Sequence, residues 1–364
     1  MLAKAKTYYI KTFGCQANEA DSEKIASFLD QAGLRESREI KRADLVVINS
    51  CAVRQSAEDR AIGLVHNLSQ KTKRPIIIVS GCFLYHNKKY LYGKLGQKVD
   101  HFIRTAFWPE FIARYWRVKV EQDRVKRKTT NPVYVPIMEG CNNFCTYCVV
   151  PHARGREKSF LPKKIICQVN QAIISGYQDI LLLGQNVNSY GKDLKEKDLV
   201  FLRKETKFGT PFAALLAKLN DLKGLKKISF LTSNPQDLDD DIIRALTLSR
   251  VDRQLHLPVQ SGDDDMLKIM NRKYTALQYI KLVKKIKKTI PEIKISTDII
   301  VGFPGETEEQ FQNTVSLCRE INFNKAYINK YSPRPQTEAA KLEDDVSWSE
   351  KKRRWQILDQ LING

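Results

Sequence analysis

Six cysteines fall into two groups whose settings call for metal-bound thiolate chemistry. Cys141, Cys145 and Cys148 form a C-x3-C-x2-C run within Gly-Cys-Asn-Asn-Phe-Cys-Thr-Tyr-Cys. A loop of that length folds three thiolates around one face of a cuboidal iron–sulfur cluster and leaves the fourth iron open for a substrate or cofactor. A structural zinc site wants four protein ligands. The nearby candidate for a fourth is His152, so a Cys3His zinc site is the alternative reading.

Cys15, Cys51 and Cys82 lie 36 and 31 residues apart, too far for a local metal loop. Each instead ends an apolar run: Thr-Phe-Gly-Cys15, Ile-Asn-Ser-Cys51 and Val-Ser-Gly-Cys82. In a parallel sheet the carboxyl ends of all strands share one edge, where ligands bind. One strand–helix unit returns the chain to that edge, so the three thiols are expected to converge there. Gly14 and Gly81 would let the backbone pass close to a bound group. Three such ligands again leave one iron free, able to hold exogenous sulfur. The alternative is three unrelated cysteines that cap strands. The remaining Cys167 and Cys318 sit in helical patterns and read as buried small apolar residues.

The elements that must position these thiols come in two series. In the first, strand-like runs at Tyr8–Phe13, Leu45–Asn49 and Ile76–Ser80 alternate with helical patterns such as Asp21–Ala32, closed by Gly33. Short β-branched runs separated by helices predict a parallel sheet covered on both faces. Residues 117–131, rich in Lys, Arg and Thr, read as the linker out of this domain. In the second series six strands are predicted: Val133–Met138, Ile180–Leu183, Lys227–Leu231, Gln254–Val259, Ile293–Val301 and Ala326–Lys330. Helical patterns such as Lys163–Ser175 separate them, and the charged stretch 187–208 reads as a flexible insertion. The fold class is α/β: a doubly wound parallel-sheet domain, then a partial (β/α)6 barrel.

Loops at the carboxyl ends of barrel strands build active sites. Polar residues occupy those positions: Gln185 and Asn186, Thr232 and Ser233, Gln260 and Ser261, then Gly302–Glu306 and Tyr331–Arg334. An ordinary turn or cap explains any one of them, whereas the whole series marks a site.

Composition adds a partner. Lys and Arg number 61 against 41 Asp and Glu, a formal charge of +20, with a pI near 9.5. So basic a balance favours nucleic acid. Lys281, Lys284, Lys285, Lys287 and Lys288 fall on one helical pattern, and Lys351–Arg354 with Trp348 and Trp355 on another. Either run could grip phosphates or be a solvated helix face. The N-terminus has no apolar signal core, and no apolar run reaches the roughly 18 residues of a membrane helix. The expectation is a cytoplasmic chain with no membrane partner, where reduced thiols serve metal sites rather than disulfides.

The loop around Cys141 resembles that of the radical S-adenosylmethionine (SAM) superfamily, and the wider sequence resembles its methylthiotransferases. The resemblance is carried by Tyr9-Ile-Lys-Thr-Phe-Gly-Cys15-Gln-Ala-Asn18, Asn49-Ser-Cys51-Ala-Val-Arg54, Val150-Pro-His-Ala-Arg154-Gly-Arg156-Glu157, His256-Leu-Pro-Val-Gln260-Ser-Gly262, Met270-Asn-Arg-Lys-Tyr-Thr275 and Asp298-Ile-Ile-Val-Gly-Phe-Pro-Gly-Glu306. It covers about residues 7–340. It implies residues 1–125 as an N-terminal domain with an auxiliary 4Fe–4S cluster on Cys15, Cys51 and Cys82. Residues 126–364 would be the radical SAM domain with a helical tail, its 4Fe–4S cluster on Cys141, Cys145 and Cys148. By resemblance the open iron of the second cluster chelates SAM, which one electron cleaves to methionine and a 5′-deoxyadenosyl radical. Gln185, Thr232, Ser233, Gln260 and Glu306 are then candidates for the SAM or substrate pocket.

Gly-Cys-Gln-Ala-Asn and Arg-Gly-Arg-Glu are most similar to the group acting on N6-isopentenyladenosine beside the tRNA anticodon. The implied partners are tRNA, an electron donor of flavodoxin or ferredoxin type, and a sulfur donor. Relatives acting on threonylcarbamoyladenosine in tRNA or on a ribosomal-protein aspartate are the enzyme alternatives. An iron–sulfur RNA-binding or redox-sensing module is the non-enzyme one. The sequence departs from the family at Asn234, where His is common, and at Phe160, where Arg is. The family's usual small β-rich TRAM domain does not follow the barrel within these 364 residues, so the expectation is that another surface grips tRNA, that a partner supplies the grip, or that the sequence is short of that domain.

Overall fold

β-Branched runs alternating with helical repeats fold into the layered α/β architecture that they predict. The computed structural model describes residues 2–127 and 131–364. They divide into two compact units, residues up to 130 with His152–Arg154, and Asn131–Pro151 with Gly155–Gly364.

In the first unit five parallel strands, β1 (Thr7–Phe13), β2 (Arg35–Glu36), β3 (Leu45–Ser50), β4 (Ile76–Ser80) and β5 (His101–Ile103), lie in the order β2-β1-β3-β4-β5. Every residue of β3 is buried, and its side chains alternate between two separate cores. Val46 and Ile48 pack with Ala57, Ala61 and Val65 of helix Gln55–Ser69. Leu45 and Val47 pack with Ile25, Phe28 and Leu29 of helix Gln16–Gln31, and with Trp108 and Ile112 of helix Trp108–Trp116. A strand with two buried faces reads as a continuous apolar run, which is why Leu-Val-Val-Ile was legible.

Two expectations change here. Helix Gln16–Gln31 starts five residues before the predicted Asp21, because Cys15 stands at its N-cap and Asn18 Oδ1 accepts from the Cys15 N–H at 3.4 Å. Nor is 117–127 a free linker. Lys126 pairs with Asp30 and Glu36, Ser27 Oγ donates to the Arg124 carbonyl, and Val120 is buried. Residues 128–130 of the predicted linker lie outside the described residues.

The second unit holds the six barrel strands in two three-stranded parallel sheets. One runs β6 (Val133–Pro136), β9 (Asp179–Leu183), β10 (Lys227–Phe230), and the other β11 (Gln254–His256), β12 (Lys294–Val301), β13 (Lys325–Lys330). A parallel bridge links Ile228 of β10 to Val251, three residues before β11. The predicted strand Val133–Met138 breaks at Ile137. Its end, β7 (Met138–Glu139), turns to pair antiparallel with β8 (Lys158–Ser159), closing the cysteine loop at its base. The stretch 187–208 is not a flexible insertion. It carries helix Glu196–Thr206, which buries Leu199 and Leu202 in the barrel core. Acidic residues in its first turn and Arg203 and Lys204 in its last suit the helix dipole. Charge masked that short apolar stripe.

Candidate active site

The three widely spaced cysteines of the first unit reach one sheet edge, as strand order requires. Cys15 follows β1, Cys51 follows β3 with its N–H donating to the Phe13 carbonyl at 2.7 Å, and Cys82 opens a short turn after β4. The ends of β1 and β3 are locked by a buried Asn pair. Asn18 Nδ2 donates to Asn49 Oδ1 at 3.2 Å, and Asn49 Nδ2 returns to the Asn18 carbonyl at 2.8 Å. Gly81, at φ +87°, passes so close that a Cβ there would sit 2.1 Å from Asn49 Oδ1. The residues crowding Gly81 are thus the strand-locking Asn49 and the Ser50 backbone.

The three thiols feel one another. A hydrogen bond from Cys51 holds the Cys15 thiol down to about 6, while Cys51 is pushed up by that same bond and by burial. Burial raises Cys82, against the pull of Arg154. Arg154 Nε donates to Cys82 Sγ at 3.1 Å, and its Nη2 pairs with Asp21 at 2.7 Å. Arg154 belongs to a quoted motif and Asp21 to a helical pattern, and the sequence assigned neither residue a role.

In the second unit the loop from Cys141 to Cys148 wraps back on itself. The Cys148 N–H donates to the Cys145 carbonyl at 2.9 Å, and Asn143 Nδ2 to Cys141 Sγ at 3.5 Å. Burial pushes Cys141 up to about 11 and Cys148 up to about 12. The loop is braced by Met270-Asn271-Arg272. Met270 O accepts from the Thr146 N–H, Asn271 Nδ2 donates to the Asn143 and Phe144 carbonyls, and Arg272 Nη1 donates to Cys145 Sγ at 3.4 Å. That role was not legible beforehand, since nothing local marks a turn as the buttress of a loop about 125 residues upstream.

Three free thiols per group, with N–H donors aimed at sulfur, suit a cluster bound through thiolates. Among the described residues no three His, Cys, Asp or Glu side chains gather as a single metal ion would need, and His152 is exposed. A cuboid presents its irons at separate corners, so its thiolates need not converge on one point. The donor set therefore fits two iron–sulfur clusters better than Cys3His zinc. Of the two spare thiols, Cys318 is buried as expected, but Cys167 is exposed, on the outer face of helix Pro162–Ile174.

The strand-end candidates separate by what occupies them. Gln185 Oε1 accepts from the Gly140 N–H at 2.5 Å and so fixes the backbone just before Cys141. Glu306 is engaged through Oε2, which accepts from the Gly302 N–H at 2.6 Å and from Arg354 at 2.8 Å. Thr232 and Gln260 adopt left-handed φ of +65° and +73°, uncommon for such residues and frequent at functional sites. The buried Ser233 hydroxyl has no partner. On β11 and β12, His256 is held between Ser296 Oγ at 3.0 Å and Asp298 Oδ2 at 3.1 Å. The sequence offered both His256 and Asp298 within motifs but without roles.

The basic runs are largely committed. Lys284 and Lys285 pair with Glu320 and Asp240 and Lys287 donates to the Ile321 carbonyl, while Lys281, Lys284, Lys285 and Lys288 are all exposed. In the second run Lys351 and Arg354 are buried and Arg353 is paired, which leaves Lys352 and Trp348 exposed. Among the described residues no helix is long and apolar enough to cross a membrane.

Comparison with known proteins agrees with this geometry. Residues 135–318 match the radical SAM superfamily, and residues 7–103 match a family described as uncharacterized protein family UPF0004. A tRNA-2-methylthio-N(6)-dimethylallyladenosine synthase from Clostridium botulinum (strain Langeland) is 40% identical over 98% of this chain and 81% of its own length. The enzyme of that name from Thermoanaerobacter sp. (strain X514) is 42% identical over 98% and 78%. Among solved structures, the radical SAM methyltransferase TsrM from Kitasatospora setae superposes with a TM-score of 0.65 at 13% identity, over 92% of this chain and 77% of that one. The cobalamin-dependent radical SAM enzyme OxsB gives 0.60 at 10% identity, over 99% and 55%. At such identities these two speak for the fold alone.

Proposed function

Because this chain belongs to the radical SAM family of tRNA-2-methylthio-N(6)-dimethylallyladenosine synthases, we propose that it adds a methylthio group to C2 of N6-isopentenyladenosine beside the anticodon of tRNA. One observation carries the reading: Cys15, Cys51 and Cys82 each follow a strand of one parallel sheet, and Cys141, Cys145 and Cys148 share the loop that leaves the first barrel strand through β7. Cys141, Cys145 and Cys148 would hold the 4Fe–4S cluster that binds SAM, in a domain spanning 126–364. Cys15, Cys51 and Cys82 would hold the auxiliary cluster in residues 1–125. Together with SAM, the bound clusters supply a carbon-centred radical and a site for the sulfur to be transferred.

The chain's own residues do the positioning. Gln185 holds the Gly140 backbone, so the loop leaves β7 at a fixed angle. The Met270–Arg272 turn braces the same loop from the other side. Ser233 and Gln260, whose side-chain ends make no scaffold contact, supply polar atoms for SAM or the base, together with Thr232. Thr232 is the partial exception, its hydroxyl donating to the Gly184 carbonyl. Gln185 and Glu306 act as scaffold. Abstraction of hydrogen from an adenine carbon demands close apposition and exclusion of water, and pre-fixed loops provide that apposition. An electron donor of flavodoxin or ferredoxin type and a sulfur donor complete the turnover.

The test is expression of this chain in a bacterium lacking its own methylthiotransferase, followed by mass spectrometry of nucleosides from total tRNA. The 2-methylthio derivative of isopentenyladenosine is expected. A methylthio group on threonylcarbamoyladenosine, or on a ribosomal protein with tRNA unchanged, would overturn the substrate assignment.

A further inference from the structure

Arg272 aims a cation at one thiol of the loop without a counter-charge of its own. It lies in the turn between helices Asp264–Ile269 and Ala276–Thr289. Its Nη1 is 3.4 Å from Cys145 Sγ, and its Nη2 donates to Asn234 Oδ1 and to the Pro258 carbonyl, both at 3.2 Å. Its Nε donates to Tyr274 Oη at 2.9 Å, and the Tyr274 ring stacks 5.0 Å beneath the guanidinium. Tyr274 is itself fixed, its hydroxyl donating to the Val259 carbonyl at 2.8 Å. Asn234 is fixed too, by accepting from the Gln236 N–H in the turn that follows β10.

These partners are an amide, a backbone carbonyl, a phenol and a thiol, all neutral in the chain as it stands. Arg154 makes the contrast, since it touches Cys82 but carries Asp21 as its counter-ion. A guanidinium stays charged at every accessible pH. Arg272 is half-buried, and withdrawing a guanidinium even partly from solvent among neutral dipoles is costly unless negative charge arrives. Thiolates bound to iron bring that charge to Cys145 and its neighbours. A fork held by three partners through Nε and Nη2, with Nη1 pointed at one sulfur, is preorganised for it.

We propose that Arg272, held by Asn234, Tyr274 and the Pro258 carbonyl, is the positioning residue that fixes the Cys145 thiolate and raises the reduction potential of the SAM-binding cluster. A hydrogen bond and a positive charge at a ligand sulfur favour the reduced, more negative form, and both are levers on cluster potential. The inference rests on the assignment of Cys141, Cys145 and Cys148 as cluster ligands.

The experiment uses full-length chain in a Cys15→Ala/Cys51→Ala/Cys82→Ala background, reconstituted anaerobically, so that one cluster titrates. Iron content and the midpoint potential from an EPR-monitored redox titration are read for the background, Arg272→Gln, Arg272→Lys and Asn234→Leu. Arg272→Gln is expected to move the midpoint to more negative potential. Arg272→Lys and Asn234→Leu, which keep the charge but loosen the fork, should move it the same way by less. Arg272→Gln with background iron and an unchanged midpoint overturns the proposal. If Arg272→Gln fails to hold iron, the other two variants decide, and unchanged midpoints in both overturn it. A background chain that binds no iron would instead overturn the ligand assignment on which the inference stands.

Discussion

Arg354 of the closing helix, Trp348–Asn363, reaches Glu306 at 2.8 Å, and the two side chains are only 5% and 1% exposed. Arg354 also donates to the Glu306 carbonyl at 2.9 Å, and Glu306 in turn accepts from the Gly302 N–H. The pair therefore staples the last helix to the loop after β12. Removing one partner of a buried pair strands the other charge, at a cost of about 3–5 kcal/mol. Arg354→Ala should lose that much stability in denaturant unfolding, and a loss below about 1 kcal/mol would contradict the assignment. Glu306, expected from its strand-end position to line the pocket, has its carboxylate engaged by this staple.

Neighbouring Glu350 gives the staple a pH dependence. A hydrogen bond from Arg353, with Arg354 contributing, holds its carboxyl down to about 2, against an ordinary 4.5. A depressed carboxyl adds stability that is present above its unfolded value and lost as pH falls through the folded one. The melting-temperature gap between the native chain and Glu350→Gln should be full above about pH 5 and shrink as pH falls from there toward 2. A gap that grows on acidification would contradict this.

Arg154 bridges Asp21 and Cys82 within the first unit. Arg154→Ala leaves Asp21 buried without its cation and Cys82 without its donor. Reconstituted protein should drop from about eight irons per chain toward about four, the loss falling on the auxiliary cluster. Unchanged iron content and an unchanged unfolding midpoint would show that the contact does neither job.

Gly140 has φ +77°, and a Cβ there would lie 2.1 Å from the Arg156 carbonyl oxygen. That oxygen is backbone and cannot swing aside. Gly140→Ala should therefore displace Cys141 and reduce the iron held by the Cys141 loop to under half that of the native chain, with the Cys15 group unaffected. Retention of both clusters would show that the loop tolerates another path.

Much of this molecule was legible because its signals are local. The all-buried strand Leu45–Ser50 announces itself as an apolar run, and the C-x3-C-x2-C loop by its spacing. The convergence of Cys15, Cys51 and Cys82 followed from strand order, a topological rule that needs no contact information. What stayed hidden is pairwise and distant. Nothing near Glu306 shows that Arg354 will take it, and nothing near Arg272 shows that it braces the Cys145 loop. Helix Glu196–Thr206 was missed for a different reason: two buried leucines, Leu199 and Leu202, are too few to outweigh the charge around them.

The most direct test of the central claim is an anaerobic reaction of reconstituted chain with SAM, a strong reductant and tRNA bearing isopentenyladenosine. Digested nucleosides are read by mass spectrometry, and 5′-deoxyadenosine is followed in parallel. The account predicts 2-methylthio-isopentenyladenosine together with 5′-deoxyadenosine, and neither product from a Cys141→Ala/Cys145→Ala/Cys148→Ala variant that keeps about four irons. Unmodified tRNA with no cleavage of SAM, from protein holding its full iron, would contradict it.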